Sequence, residues 1–379
     1  MKNQSKMFPS VGERVSRWFS EKSFHAADYK HLEQLLAAKE AKGLTISVAL
    51  PALNEADTIG DILGPMQDCL MEKIPLIDEI VVVDSDSVDS TRDIARAYGV
   101  PVYVHQELLT NYGVRAGKGE ALWKSLYVTT GDIVLWCDTD IKNFHPRFIY
   151  GLLGPLLADD SVEFVKGFYR RPISADGSGK PRLKAGGGRV TELTARPLLN
   201  MFFPELSGFI QPLAGEYGGR RSLLEKLTFT SGYGVEVSLL IDALHKAGLN
   251  KLAQVNLIER IHHNQPLEDL SKMSFAVMQT VFQQLEQKYG RSKVGELNRF
   301  LNLSMRRAQL ELGHEEMTLE SEHLIEHQRP PMNTISEYIT RYNNPEMPLT
   351  GIKSGNLLRD VLGHPDDIFL IPGSFVSRS

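Results

Sequence analysis

The stretch DIVLWCDTD, residues 132–140, contains five consecutive apolar residues that end at two carboxylates one residue apart. A short continuous apolar run is typical of a strand buried on both faces, although periodicity alone does not exclude a buried helix. Gly131 precedes the run, and Asn143 and Pro146 follow it, as loop-forming residues do at the ends of an element. We therefore predict a buried strand over residues 133–137.

The two carboxylates that follow this strand predict a metal site. Residues i and i+2 of a strand point the same way, so we expect Asp138 and Asp140 to project together. Their mutual repulsion and loss of water are unfavourable unless a cation compensates. Mg²⁺ binds through one or two carboxylates plus substrate phosphates, which favours a metal–diphosphate site. The alternative is two solvated loop residues or a helix N-cap, and this stretch alone does not decide between them.

Composition excludes several classes of protein. The chain has 379 residues, 42% of them hydrophobic, and a net charge of −5, so no basic field points to nucleic acid or a membrane surface. Its two cysteines provide no disulfide framework, which favours a reducing compartment. No apolar stretch approaches the ~18 residues of a spanning helix. We expect a cytoplasmic protein that binds neither nucleic acid nor membrane.

Strand and helix patterns alternate through the first half of the chain. Strands are predicted at 44–50, 77–84, 101–105 and 133–137, with helices at 58–71, 90–98 and 117–127 between them. Such alternation predicts a parallel doubly wound sheet. Pro51 is expected to end the first strand.

Polar clusters follow three of these strands, at 51–55, 84–86 and 138–140. In a parallel sheet, ligands bind beyond the carboxyl ends of the strands, so these clusters should meet at one site. The first strand is not followed by G-x-G-x-x-G, and the chain has no G-x-x-x-x-G-K-[ST]. These absences argue against an ordinary dinucleotide site and against a P-loop.

Two further segments suggest anion binding. Gly186, Gly187 and Gly188 precede Arg189 and Thr191 at a predicted helix start, and free backbone N–H groups, a guanidinium and a hydroxyl together suit a phosphate. A flexible hinge is the alternative. Lys118, between two glycines, either meets a nucleotide phosphate or is an ordinary loop lysine.

Two other positions, Glu236 and His262, have both a structural and a functional interpretation. Glu236 should lie in the first turn of a helix, where it suits the dipole or contacts a substrate hydroxyl. His262 is either a metal ligand or a surface histidine. We expect long amphipathic helices over 267–313, as core or dimer contact, and short helices over 314–379.

The chain is divided into four segments on this basis. We expect an N-terminal arm and helix at 1–43, an α/β half at 44–170 and a second half with the candidate anion site at 171–265; the family resemblance given below implies that these are the nucleotide-sugar-binding half and the acceptor-binding half. A helical C-terminal extension, a possible dimer contact, occupies 266–379.

The order of the motifs resembles a known family. The segments at 51–55, 84–87 and 138–140 resemble those of nucleotide-sugar glycosyltransferases with the GT-A (Rossmann-like) fold. Lys118, the 188–191 turn and the 262–264 segment resemble the glucosyl-3-phosphoglycerate synthases of glycosyltransferase family 81. The resemblance covers roughly residues 20–330. Thr139 departs from it, since serine is commoner there.

The resemblance implies a mostly parallel central sheet, a homodimer, and metal-dependent transfer of glucose from UDP-glucose to 3-phosphoglycerate. The cation would be Mg²⁺, or Mn²⁺ or Co²⁺. The implied metal ligands are Asp140, His262 and Asp138, and the implied acceptor-binding residues are Gly188, Arg189, Thr191 and Asn264. The implied donor-binding residues are Pro51, Ala52, Leu53, Glu55, Ser85, Lys118, Asp138 and Glu236, of which Lys118 and Glu236, with Asp140, would also be catalytic.

Several alternatives stay open at the level of sequence. A GDP-mannose donor would give mannosyl-3-phosphoglycerate by the same chemistry. A nucleotidyltransferase would carry a Gly-rich, basic turn after the first strand, where this chain has residues 51–57 instead. A non-catalytic protein that binds sugar nucleotides is the third alternative. For the enzyme, analogy predicts retention of the anomeric configuration.

Overall fold

The computed structural model describes residues 9–174, 181–183, 188–261, 266–290, 300–308, 315–323, 325–343 and 349. Its helices, numbered in chain order, are α1 Val11–Lys22, α2 Leu32–Lys42, α3 Ile59–Gln67, α4 Thr91–Ala97, α5 Lys118–Val128, α6 Arg147–Ala158, α7 Arg196–Phe202, α8 Arg221–Leu224, α9 Val235–Ala247, α10 Leu267–Tyr289 and α11 Ser336–Asn343. Its strands are β1 Ser23–His25, β2 Ile46–Ala52, β3 Glu79–Asp84, β4 Val102–Val104, β5 Ile133–Trp136, β6 Phe164–Arg170, β7 Ile173–Ser174, β8 Pro181–Leu183, β9 Tyr217–Arg220, β10 Phe229–Thr230, β11 Leu252–Glu259, β12 Phe300–Ala308, β13 Glu315–His323 and β14 Gln328–Arg329.

Eight strands form the central sheet, in the order β1-β11-β6-β9-β5-β2-β3-β4. Only β9 runs antiparallel to its neighbours, β5 and β6; every other pairing in this sheet is parallel. The predicted mostly parallel sheet is therefore confirmed. The carboxyl ends of β2, β3 and β5 meet at one edge, because these three strands are direct neighbours.

The predicted strand at 133–137 is also confirmed, and its packing explains its composition. Val134 and Trp136 of β5 belong to one buried cluster, whereas Ile133, Leu135 and Cys137 belong to the other. Successive side chains of a strand point to opposite faces. Since both faces of β5 are covered, every position of the strand has to be apolar.

The expectation that Pro51 ends the first strand is wrong, because β2 continues to Ala52. Pro51 pairs with Val83 of β3, but the ladder between β2 and β5 stops earlier, at Ala49. A proline beyond the last β5 partner does not interrupt that ladder. The carbonyl oxygen of Pro51 instead accepts a hydrogen bond from the Thr139 hydroxyl at 2.8 Å.

Helices were predicted throughout 267–313 and short helices over 314–379, and both predictions are wrong at residues 300–308 and 315–323, which are strands. Helix α10 ends at Tyr289, and β12 pairs antiparallel with β13 over residues 300–308 and 315–323. The sequence of β12, FLNLSMRRA, carries Leu301, Leu303 and Met305 at alternating positions. That period of two is typical of a strand, whereas the pattern of the preceding segment is helical.

The N-terminal segment packs on the same sheet. Trp18 of α1 is buried, and its Nε1 donates to the carbonyl oxygen of Leu252 at 2.7 Å. Strand β1 pairs in parallel with β11. The division into four segments stays a prediction. Within the described ranges, no helix is long and apolar enough to cross a membrane.

Candidate active site

A cavity of about 490 Å³ opens at the carboxyl ends of β2, β3 and β5. Twelve of the fourteen predicted site residues line it: Pro51, Ala52, Leu53, Glu55, Ser85, Lys118, Asp138, Asp140, Gly188, Arg189, Thr191 and Glu236. The other two, His262 and Asn264, lie outside the described residues. The structure thus gathers into one cavity segments that are far apart in the sequence.

The carboxylates of Asp138 and Asp140 turn toward the same point. Arg260, at the end of β11, reaches both of them with one guanidinium group. Its Nη1 lies 2.9 Å from Asp138 Oδ2, and its Nη2 pairs with Asp140 Oδ1. The i, i+2 geometry expected after a strand is therefore present, and one guanidinium group brings positive charge to both carboxylates.

Arg260 is held in turn by buried partners. Its Nη1 also donates to Glu216 Oε1 at 2.7 Å and to the Tyr169 hydroxyl at 3.0 Å. Burial alone would raise the pKa of Asp138, but the charges of Lys118 and Arg260 outweigh it and hold that pKa well below its usual range. Asp138 therefore stays ionised at the base of the cavity.

Lys118 connects three elements of the site. Its Nζ donates to Glu236 Oε1 at 2.6 Å and also pairs with Asp138 Oδ1. It opens α5, and Glu236 lies in the first turn of α9 as predicted. A Cβ at Gly119 would lie 1.8 Å from the carbonyl oxygen of Thr230, so the glycine beside Lys118 allows the start of α5 to approach the segment before α9.

Hydrogen bonds also tie β2 to β5 at this edge of the sheet. The Thr139 hydroxyl donates to Pro51 O, and the Thr58 hydroxyl donates to Thr139 O at 2.6 Å. Residue 139, between the two aspartates, therefore links β2 to the segment after β5 through a hydroxyl group, which serine and threonine both have.

Glu55 lies near the aspartates. Burial, followed by the charge of Asp140, raises the pKa of Glu55 to about 7.

The opposite side of the cavity is formed by the turn that begins at Gly188. Gly188 has a φ of +85°, and its carbonyl oxygen accepts from the N–H of Glu192 at 3.0 Å. Arg189 is exposed, whereas Thr191 is 3% exposed at the start of a short π-helical turn, Thr191–Ala195. The predicted combination of glycine, guanidinium, hydroxyl and helix start is present. Its role as an acceptor site stays a prediction.

The donor atoms at the base of the cavity fit a hard divalent cation. Asp138, Asp140 and the nearby Glu55 provide carboxylate oxygens, the ligands that Mg²⁺ prefers. Within the part of the chain that the structure describes, no three His, Cys, Asp or Glu residues form a ready metal cluster. The predicted third ligand, His262, is outside that part, so the predicted set of ligands stays a prediction.

Sequence reasoning missed the network behind the aspartates. Arg260 and Glu216 are 3% and 0% exposed, and neither was assigned a role. Arg260 could have been recognised as a candidate site residue from its position, because it directly follows β11 and precedes the 262–264 segment. Glu216 had no such signal, since its role depends on its distance to Arg260. Arg171 also lines the cavity, and its buried Nε has no partner among the described residues.

Comparison with known sequences gives a consistent result. The sequence model of glycosyl transferase family 2 matches residues 47–225. A glucosyl-3-phosphoglycerate synthase from Petrotoga mobilis is 46% identical over 325 residues, which are 86% of this chain and 97% of that protein. The enzyme of the same name from Mycobacterium tuberculosis is 48% identical over 251 residues, 65% of this chain and 75% of that protein.

Solved structures agree in fold. Mannosyl-3-phosphoglycerate synthase from Rubrobacter xylanophilus matches with a TM-score of 0.75 and 41% identity, over 84% of this chain and 97% of that one. Glucosyl-3-phosphoglycerate synthase from M. tuberculosis, in complex with Mn²⁺, UDP and glucosyl-3-phosphoglycerate, matches with a TM-score of 0.66 and 40% identity, over 80% and 95% of the two chains. The sheet is thus that of a GT-A glycosyltransferase, and with nearly the full length of the P. mobilis protein aligned, this chain belongs to the glucosyl-3-phosphoglycerate synthase family.

Proposed function

We propose that this protein transfers glucose from UDP-glucose to 3-phosphoglycerate, giving glucosyl-3-phosphoglycerate. The observation that carries the proposal is that the paired aspartates after β5 and the turn at 188–191 face one cavity. A group transfer needs donor and acceptor side by side, and holding both in place can lower the barrier by ~7–11 kcal/mol. One cavity with two chemically different ends meets that need.

The donor end is assigned to the strand ends and to the Lys118–Glu236 pair. Glu236 would accept from hydroxyls of the glucose, and Lys118 would contact the nucleotide. The ribose or the metal would be the partner of Asp138. The nucleoside itself would rest on Pro51, Ala52, Leu53, Glu55 and Ser85.

A divalent cation, Mg²⁺, Mn²⁺ or Co²⁺, would be held by Asp138, Asp140 and His262. When bound, such an ion acts as a Lewis acid and stabilises the charge that develops on the departing diphosphate. The solved complexes of the M. tuberculosis enzyme contain Mn²⁺ with UDP or with UDP-glucose. In this chain the carboxylates provide hard oxygen ligands, and Arg260 keeps both of them in place.

The acceptor end is assigned to Gly188, Arg189, Thr191 and Asn264, which would hold the phosphate and carboxylate of 3-phosphoglycerate. Charge-assisted hydrogen bonds from a guanidinium are among the strongest that proteins make to such groups. In M. tuberculosis, solved complexes of the enzyme contain phosphoglyceric acid.

We propose that transfer retains the anomeric configuration. The bond between the anomeric carbon and the phosphate oxygen breaks, and a bond to the acceptor hydroxyl oxygen forms on the same face. The hydroxyl proton passes to the departing phosphate, so no glycosyl–enzyme intermediate is required. NMR of the product tests this step, and a β-linkage would contradict it.

The experiment that tests the function is a screen of donors against acceptors, with and without EDTA. UDP-glucose, GDP-mannose and GDP-glucose are each combined with 3-phosphoglycerate and with glycerate. We expect UDP-glucose with 3-phosphoglycerate to give the highest kcat/KM, and EDTA to abolish turnover. Binding of UDP-glucose without turnover on any acceptor would instead identify a non-catalytic protein.

Mannosyl-3-phosphoglycerate synthesis is the second candidate, because the R. xylanophilus neighbour carries that name. A higher kcat/KM for GDP-mannose in the same screen would select it. We also propose a homodimer in the cytoplasm. Light scattering of the purified protein tests the first part of that proposal, and cell fractionation tests the second.

A further inference from the structure

Residues 325–343, here named the C-terminal strap, pack directly against the segment that precedes α9. Strand β14 of the strap pairs antiparallel with β10, with Thr230 opposite Gln328. The pairing continues past the strand, because the N–H of Ser231 donates to His327 O at 2.8 Å. The strap therefore runs alongside the turn at residues 231–234.

Within this strap, the carboxylate of Glu326 points into that turn. Glu326 is 8% exposed, and its Oε2 accepts from the N–H of Gly232 at 2.9 Å. The N–H groups of Tyr233 and Gly234 also favour the ionised form of this carboxylate and lower its pKa. One side chain thus binds the first backbone donor of the turn and faces the next two, at the start of α9.

The turn has no free space on either side. A Cβ at Gly232 would lie 2.4 Å from Glu326 Oε1, and a Cβ at Gly234 would lie 1.8 Å from Thr280 Oγ1 of α10. Contacts this close do not occur between real side chains and would force the neighbours apart. Glu326 and Thr280 therefore hold the turn between them.

This turn determines where two residues of the cavity lie. Tyr233 belongs to it and Glu236 follows it, and both line the cavity. The N–H of Glu120 in α5 donates to Ser231 O at 3.2 Å, so the starts of α5 and α9 share the turn. The Lys118–Glu236 contact joins side chains from these two helix starts.

We propose that Glu326 is a positioning residue for the donor-sugar end of the active site. Its carboxylate fixes the backbone of the turn at 231–234, and this turn places Glu236 against Lys118. This inference rests on the proposed function for its kinetic consequences. Its structural content, the ordering of the turn by one carboxylate, is independent of the reaction.

The groups around Glu326 make its charge, and so its effect on the turn, depend on pH. The turn offers N–H donors, α10 offers the neutral Thr280 and Gln283, and the charged group that faces it from α9 is Glu236. Burial, against the hydrogen bonds of the turn, raises the pKa of Glu326 from 4.5 to about 7, and the charge of Glu236 adds to that shift.

Protonation of Glu326 is linked to the stability of the fold. A carboxyl group whose folded pKa is raised contributes stability that is present below its unfolded pKa and is lost as the pH rises through the folded value. The ionised form is nevertheless the better acceptor for the N–H of Gly232. As the pH rises from 4.5 to about 7, the group should therefore lower stability, while the carboxylate that orders the turn is formed.

The test compares Glu326→Gln with Glu337→Gln. Glu337 is a matched control, because it is also a strap carboxylate and accepts from the Tyr112 hydroxyl at 3.0 Å. At pH 8 we expect E326Q to lose about tenfold in kcat/KM for UDP-glucose, with the acceptor KM within about twofold. E337Q should stay within about twofold of wild type in both constants.

Two further readouts separate positioning from general destabilisation. Wild-type kcat/KM should fall as the pH drops through about 7. This limb should be shallower in E326Q, which mimics the protonated form, because Glu55, whose pKa is also about 7, still titrates there. Hydrogen exchange should accelerate at residues 232–234 in E326Q and not in E337Q. If E326Q keeps wild-type kinetics, keeps the full wild-type pH profile or leaves exchange in the turn unchanged, the proposal is overturned.

The positioning role of Glu326 and the proposed function can be tested separately. If the wild-type protein fails to turn over any pair in the donor and acceptor screen, the proposed function fails. The exchange measurement, together with calorimetric binding of UDP-glucose and Mn²⁺ to wild type and E326Q, then decides the inference alone. Unchanged exchange and unchanged affinity in E326Q would refute it.

Discussion

The two sides of the cavity are built in different ways. On the nucleotide side, cavity-lining residues within 51–55, Ser85 and 138–140 end or directly follow three adjacent parallel strands, and backbone ladders hold those strands together. The turn at 188–191, on the opposite side, and the turn at 231–234, which precedes Glu236, come from segments that belong to no common ladder. The second of these turns is held by a side chain, that of Glu326. Parts of one site can therefore be held either by backbone pairing between strands or by contacts of single side chains. Strands can be recognised in the sequence from their apolar runs, whereas single side-chain contacts cannot.

Arg260 links distant parts of the chain. It comes from the second half of the chain, yet its guanidinium binds the aspartates of the first half and the buried carboxylate of Glu216. The donor side thus depends on a residue outside its own strands. The predictions below use this dependence to test the contrast between the sides, beginning with the largest effect.

Asp140→Asn should have the largest effect and should disable the donor side. The substitution removes the charge that a divalent cation needs, and we expect kcat to fall by about 10³-fold, since removal of one such stabilising group costs on the order of 10²–10³. Steady-state assays with UDP-glucose and 3-phosphoglycerate measure it. The exposed Asp57, which does not line the cavity, gives the control Asp57→Asn. Full turnover of wild type in strong chelator would contradict the metal assignment.

Arg260→Gln should lower stability and so test whether the second half supports the first. It leaves the buried Glu216 carboxylate without its cation, and breaking a buried pair costs about 3–5 kcal/mol. We expect the free energy of unfolding, measured by urea denaturation, to fall by about 3 kcal/mol.

Arg14→Gln is the matched control for that measurement. Arg14 pairs with Glu205 at 3.0 Å, but both side chains are about 40% exposed, and such surface pairs contribute ~0–1 kcal/mol. If the two arginine variants lost equal stability, the buried network would not connect the halves of the molecule.

Arg189→Ala should have the smallest effect and should be confined to the acceptor side. Loss of a charged hydrogen-bond donor costs about 1.5–3 kcal/mol, so we expect the KM for 3-phosphoglycerate to rise about 30-fold. The KM for UDP-glucose should stay within about twofold. Glu192→Ala, an exposed neighbour that does not line the cavity, is the control. Equal changes in both KM values would mean that the sides are not separate.

The donor side was predictable because its information is local. The apolar run at 133–137 and the polar residues after three strands indicate both the elements and the edge where they meet. The acceptor turn at 188–191 was found through its unusual local chemistry. Arg260, Glu216 and Glu326 could not be found this way, because an arginine or glutamate beside a strand end has no local feature that identifies its partner.

The two wrong predictions have different origins. Helices were expected through residue 313, because the long amphipathic pattern before Tyr289 was extended across a segment that alternates with a period of two. Pro51 was expected to end a strand, but the length of the ladder with β5 decides whether a proline is tolerated there. The first error concerns a local pattern, whereas the second concerns a pairing partner, which the residues themselves do not specify.

The amino-acid sequence by itself determined the alternation of strands and helices between residues 44 and 137, the edge of the sheet that carries the site and most of the acidic and basic residues that form it. It could do so because hydrophobic periodicity and turn chemistry act over a few neighbouring residues. Only the tertiary structure decided that Arg260 joins both aspartates and that Glu326 binds the N–H of Gly232, 94 residues away. Such contacts depend on how distant segments pack, and packing is a property of the whole chain.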